Sequence, residues 1–204
     1  MRSKFCAVVF SFAVLTSAFG ATDKGGLFIE PFLSYENSDF EINYPSPIGD
    51  SEGDYKGAGI GARVGFHIYE SLFIGGDARY SKYDYNDDDN SYDSDASGYT
   101  YGPVVGLQLP TDLSVRIWWN WVLGGNIDPD AGDDFDVKFE EGHGYRIGAG
   151  IMFKSLSFNL EFQDIVYDKT KLEQAGPFSN PGTFSDVELE NKGYVFSVSF
   201  PYTL

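Results

Sequence analysis

From residue 27 onward, bulky apolar side chains alternate with small or polar ones, stretch after stretch. A period of two puts one kind of residue on each face of an extended strand; a helix would repeat every ~3.6 residues. Eight segments carry the pattern: 27–36, 57–68, 72–83, 99–109, 113–123, 143–153, 156–166 and 192–200. Each is close to the ~9–11 residues that a tilted strand needs to cross a bilayer.

The connections sort by length. Residues 69–71, 110–112 and 154–155 are short turns, whereas 37–56, 84–98, 124–142 and 167–191 are long. Long and short alternate strictly. With an even number of strands, both chain ends share one rim with the short turns, and the long loops share the other. A soluble sandwich has no reason to sort its loops in this way; a membrane barrel does. Charge follows the same division. Asp39, Glu41, Asp50, Glu52 and Asp54 lie in the first long connection, and Asp84, Asp87, Asp88, Asp89, Asp93 and Asp95 in the second. Asp128, Asp130, Asp133, Asp134, Asp136, Glu140 and Glu141 lie in the third. Nearly all of the net charge of -17 therefore belongs to one end. Such acidity excludes nucleic acid as a partner, since phosphate binding needs Lys and Arg. An aromatic content of 17% weighs against disorder.

The first residues read as a secretory signal peptide spanning 1–20. Arg2 and Lys4 precede an uncharged apolar run, and Ala18-Phe19-Gly20 offers small residues for cleavage. Cys6 leaves with that segment, so the mature domain, 21–204, has no disulfide. No later apolar run approaches the ~18 residues of a helical span.

The polar face decides between a soluble and a membrane barrel. A water-facing wall would be rich in Lys and Glu. Here that face carries Gly59, Gly61, Gly65, Gly102, Gly106, Gly144, Gly148 and Gly150, which suit a narrow lumen. The opposite face carries Ile29, Leu33, Ile60, Val64, Phe66, Ile117, Trp119, Trp121, Ile147, Ile151, Phe158, Leu160 and Phe196. Bulky residues outward and small residues inward define a lipid-facing wall. Tyr35, Tyr80, Tyr83, Tyr101 and Tyr145 towards the loops, with Tyr69, Phe153 and Phe200 towards the turns, form two aromatic girdles. The expected fold is all-β: an eight-stranded antiparallel up-and-down transmembrane β-barrel after an N-terminal signal peptide.

The stretches GLFIEPFLSYE, GAGIGARVGFHIYESLFIGGDARYSKY and GYVFSVSF resemble the small outer-membrane β-barrel family, which includes the membrane domain of outer-membrane protein A and the opacity-type barrels. The resemblance spans residues 27–200 and implies an architecture rather than a reaction. It also implies an outer-membrane location, with both termini periplasmic. Such barrels usually end on an aromatic residue; this chain reaches Phe200 and continues with Pro201-Tyr202-Thr203-Leu204.

Glu30, Arg63, Asp77, Arg79, Arg116, Arg146 and Glu161 fall on the inward face. Charges in a narrow lumen need partners. Arg63 is expected across from Asp77 and Arg146 across from Glu161, with Glu30 and Arg116 nearer the periplasmic rim. The leading reading is a lumen plugged by this charge network, with acidic extracellular loops as an interaction surface. The alternative is a narrow porin-like channel for small solutes or cations. A lipid hydrolase ranks third: His67 and the inward Ser157, Ser197 and Ser199 are its only material, and His143 stands at a loop entry, so no catalytic residue is assigned. No cofactor is expected, and no metal centre. The carboxylates Asp87, Asp88, Asp89, Asp128, Asp130, Asp133, Asp134 and Asp136 are at most weak calcium ligands, because Gly132 and Phe139 break the EF-hand spacing. Expected partners are outer-membrane lipid and lipopolysaccharide, an extracellular ligand or surface met by the loops, and weakly held divalent cations.

Overall fold

The computed structural model describes residues 26–46, 49–69, 71–87, 92–109, 111, 113–129, 135–175 and 182–204. The expected signal segment, 1–20, lies outside them. Every regular element among the described residues is a strand: β1 (Leu27–Asn43), β2 (Ser51–Tyr69), β3 (Leu72–Asp87), β4 (Tyr92–Gln108), β5 (Leu113–Val122), β6 (Gly124–Pro129), β7 (Phe135–Phe153), β8 (Leu156–Ala175), β9 (Gly182–Phe184), β10 (Glu188–Ser199) and β11 (Tyr202–Thr203). All pairings are antiparallel. β5 and β6 follow one another along one wall position, and β9, β10 and β11 along another, so the wall has eight positions. β10 and β11 pair with β1 and close the ring.

The breaks have local causes. Tyr101 faces Gly124 and Val104 faces Asn120, so Gly102-Pro103 oppose the longer run Trp121–Leu123. Pro103 has no N–H for the ladder. A Cβ on Gly102 would sit 1.7 Å from the Trp121 carbonyl oxygen, so the two strands meet only because that residue is glycine. Pro201 separates β10 from β11. Phe200 N donates to Pro31 O at 2.9 Å and Leu204 N to Leu27 O at 2.7 Å, so the tail beyond Phe200 continues the closing strand.

The strands run well past their expected ends. β2 has 19 residues and β8 has 20, about twice what a bilayer crossing needs. Much of the sequence between 37 and 56, and likewise in 84–98, 124–142 and 167–191, is therefore strand rather than loop. Ser38-Asp39-Phe40-Glu41-Ile42 shows why. It alternates, but with the polarity reversed: Phe40 and Ile42 point inward, and Asp39 and Glu41 outward. Near the turns the outer face is apolar, with Ile29, Ile60, Phe66, Ile117, Ile151, Phe158 and Phe196 exposed. Further up, the apolar residues are inside. Phe40, Ile42, Tyr55, Ile127, Phe139, Ile165, Tyr167 and Leu189 form one buried cluster there. At the change of zone, Glu141 takes a left-handed φ of 59°. The inward phase of both β7 and β8 shifts around it, from Gly142 to Phe139 and from Tyr167 to Thr170.

The girdle needs one correction. Tyr35, Tyr80 and Tyr101 are exposed, but Tyr83 is buried in the barrel, because it shares the odd parity of Phe73, Asp77 and Arg79 on β3. Outward rings continue instead through Trp121, Trp119, Tyr145, Phe162 and Tyr194, each 5.1–6.4 Å from the next. The side chain of Tyr69 lies outside the described residues.

Candidate functional site

The barrel interior is stacked in layers, each set by strand parity and register. Lowest, near the turns, His67 lies against Phe28 (ring centroids 5.1 Å) and Phe73 (6.0 Å). The three inward serines are engaged elsewhere: Ser157 donates to Asn159 Oδ1 at 2.8 Å, and Asn159 Nδ2 donates to Ser197 and Ser199 at 3.2 and 2.9 Å. Among the described residues no His–Ser contact exists to start hydrolytic chemistry. His143 is on the outer face of the projecting wall, 3.2 Å from Asp168.

Above this lies the charge lattice. Arg63 faces Asp77 in register and its Nε donates to that carboxylate at 2.9 Å. Its other nitrogens donate to Glu30, at 3.3 Å, and to Glu161. Arg79 takes both oxygens of Asp77, at 2.7 and 2.8 Å, and reaches Glu161 as well. Arg116 donates to Glu30 at 2.6 Å. Six of the seven candidate residues thus form one connected lattice, with Arg63 and Glu161 fully buried. Aromatic rings fill the space between the ions. Trp118 Nε1 donates to Glu161 at 2.8 Å, while the guanidinium carbons of Arg63 and Arg116 lie 4.5 and 5.2 Å from its ring centroid. Phe32 packs on Arg63 and Arg79. A ring is a good neighbour for a buried guanidinium, because its negative face compensates lost hydration. The inner glycines make room for these rings. A Cβ on Gly148 would meet Trp118 at 2.2 Å, one on Gly61 would meet Phe32 at 2.3 Å, and one on Gly106 would meet Phe73 at 2.2 Å.

Arg146 stands apart. It faces Gln163, and Glu161 faces Gly148. The expected Arg146–Glu161 pairing is therefore out by two residues. Arg146 Nε donates to Gln163 Oε1 and Nη2 to Thr100 Oγ1, both at 2.9 Å. Gln163 in turn donates to Glu36. Glu36 is a further buried lumen charge; it falls at the end of the expected first strand, and its even parity on β1 matches that of Glu30. Tyr83 OH donates to Glu36 at 3.0 Å, Ser38 at 3.2 Å and Asn191 at 3.3 Å. Among the described residues, four inward Arg now match four inward carboxylates. The apolar cluster from Phe40 to Leu189 lies above and completes the filling.

Of the calcium candidates, only Asp128 has a described side chain. Asp128 pairs with Lys138 at 3.4 Å. The side chains of Asp87, Asp88, Asp89, Asp130, Asp133, Asp134 and Asp136 lie outside the description. No group of three or more His, Cys, Asp or Glu among the described residues could hold a metal ion.

No family model matches the sequence, and no curated protein does. Solved structures do. The outer membrane protein OprG of Pseudomonas aeruginosa superposes with a TM-score of 0.56 at 11% identity, covering 89% of this chain and 98% of that one. The outer membrane protease OmpT of Escherichia coli superposes with a TM-score of 0.55 at 9% identity, covering 88% and 97%. The chain has the outer-membrane β-barrel fold. At these identities the likeness fixes the barrel's architecture and carries no activity across.

Proposed function

We propose that the protein is an integral outer-membrane β-barrel with a closed lumen, and that its role is structural or directed to the cell surface rather than catalytic. One observation carries this reading: the interior is filled layer on layer, first by the Arg–carboxylate lattice with its aromatic spacers, then by the apolar cluster. An ion would have to displace both. The apolar outer belt supports insertion among lipid acyl chains, and the ring of tyrosines and tryptophans above it supports contact with the headgroup level. In this orientation the short turns and both ends face the periplasm. The acidic upper wall stands outside, among lipopolysaccharide and whatever ligand or surface the cell meets, where divalent cations are its natural counter-ions. The resident charge network is Glu30, Arg63, Asp77, Arg79, Arg116, Arg146 and Glu161, joined by Glu36.

Planar-bilayer recording of the refolded protein tests this reading. The expected trace for wild type has no stable open level. A steady conductance that changes in Arg63→Ala or Glu161→Gln would overturn the closed lumen in favour of a narrow channel.

A further inference from the structure

Between the charge lattice and the apolar layer, two neighbouring side chains keep polar atoms that no protein group meets. Arg146 uses Nε and Nη2 on neutral oxygens, and its Nη1 has no partner. Asn120 lies directly across from it on β5, fully buried, and neither its Nδ2 nor its Oδ1 has a partner. Buried polar groups are very rarely left unmatched. The unmatched set is two donor nitrogens, a guanidinium NH2 and an amide NH2, and one carbonyl acceptor. An occupant must therefore both accept and donate.

Charge narrows the choice further. Among the described residues the inner face carries Arg63, Arg79, Arg116 and Arg146 against Glu30, Glu36, Asp77 and Glu161, so these lumen charges balance without any added ion. Arg146 reaches Glu36 through Gln163, which accepts from one and donates to the other. A halide would suit the two donors, but it would leave Asn120 Oδ1 unmatched and would add an uncompensated charge.

We propose that Arg146 and Asn120 form an internal site for resident water, which accepts from Arg146 Nη1 and Asn120 Nδ2 and donates to Asn120 Oδ1. Buried waters commonly make about three such bonds. The lattice closes the site from below and the apolar cluster closes it from above, so the water is sequestered rather than part of a path. The site rests on the closed lumen proposed above, and it makes that lumen wet at one level without making it conduct.

The test is a crystal structure of protein refolded in bromide buffer, beside the same structure of Asn120→Leu. The expected result is water density within hydrogen-bond distance of both side chains, no anomalous bromide signal there, and loss of the density in the variant. Should Asn120→Leu fail to fold, Asn120→Asp serves, because its carboxylate pairs with Arg146 and expels the water. A bromide peak between Arg146 and Asn120 would overturn the proposal in favour of an anion site. Direct bonding of the two side chains with nothing between them would overturn it outright. Conductance is a separate readout: an open lumen shows itself in recordings whatever occupies this site.

Discussion

The lattice is held by complementary charges, so removing one member should cost more than any single bond in it. Glu161 serves Arg63, Arg79 and Trp118 together. Leaving a buried charge without its partner costs about 3–5 kcal/mol. Glu161→Gln is accordingly expected to lower the urea midpoint of unfolding by that equivalent, read from tryptophan emission in lipid vesicles; an unchanged midpoint would refute a structural role for the lattice. Steric fit gives a second expectation at this scale. Gly148→Val must displace Trp118, and overpacking of this kind costs about 1–3 kcal/mol. The same titration checks it, with Gly76→Val as the control, because a Cβ on Gly76 meets nothing within 4 Å. Parity alone placed all seven charged residues on the inner face, so that much of the site is legible in the sequence. Their partners are legible only in part. Arg63 with Asp77 follows from counting back from a turn. Arg146 with Gln163 follows from counting too, once the Lys154-Ser155 turn sets Phe153 opposite Leu156. The reach of Glu161 to Arg63 and Arg79 does not follow, because those contacts cross the lumen between strands far apart in the chain.

Strands reveal a different limit of sequence reading. An acidic composition marks 37–56 as loop, yet the backbone there continues the ladder, with Asp39 opposite Asp54, Glu41 opposite Glu52, and Glu41 opposite Glu190. Apolar residues at every second position were present in the sequence, but Asp and Glu between them masked the pattern. Like charges directly opposed across strands are destabilising. Glu41 has such a neighbour on both sides. Glu41→Lys is expected to raise the thermal midpoint, with a gain that shrinks as salt rises and screens the ladder. A gain independent of salt would mean that the acids do not act through charge. The closing seam was equally hidden. Residues 202–204 look like a tail after Pro201, but they pair with 27–29 and extend the last strand. Deleting them should leave the lower end of β1 paired on one side only, with β2, and slow the appearance of the compact, heat-modifiable band during refolding into vesicles. Refolding at the wild-type rate would show that the seam closes without them.

Along the whole barrel, the wall exchanges its two faces: lipid-like outside and charged inside near the turns, acidic outside and apolar inside beyond the belt. Each half is what its surroundings demand, because acyl chains tolerate no charge and water favours burial of Phe40, Ile127 and Phe139. The general architecture was legible because loop sorting and glycine placement report on the membrane half. The projecting half was not, because its outward acids resemble an unstructured, solvated segment. The three tryptophans offer a direct check on which face meets lipid. Trp119 and Trp121 point outward in the aromatic girdle at the upper edge of the belt, whereas Trp118 is buried against Arg63 and Arg116. Quenching needs near contact, so bromine on the acyl chains reaches only outward rings. In brominated-lipid vesicles, Trp118→Phe, which keeps the two outward rings, should lose most of its emission. Trp119→Phe combined with Trp121→Phe, which keeps Trp118, should stay bright. Equal quenching of both variants would mean that the lumen admits lipid. Reversed quenching would mean that the wall is turned the other way, and the charge lattice would then face the bilayer, an arrangement that the cost of placing Arg63 and Glu161 in hydrocarbon forbids.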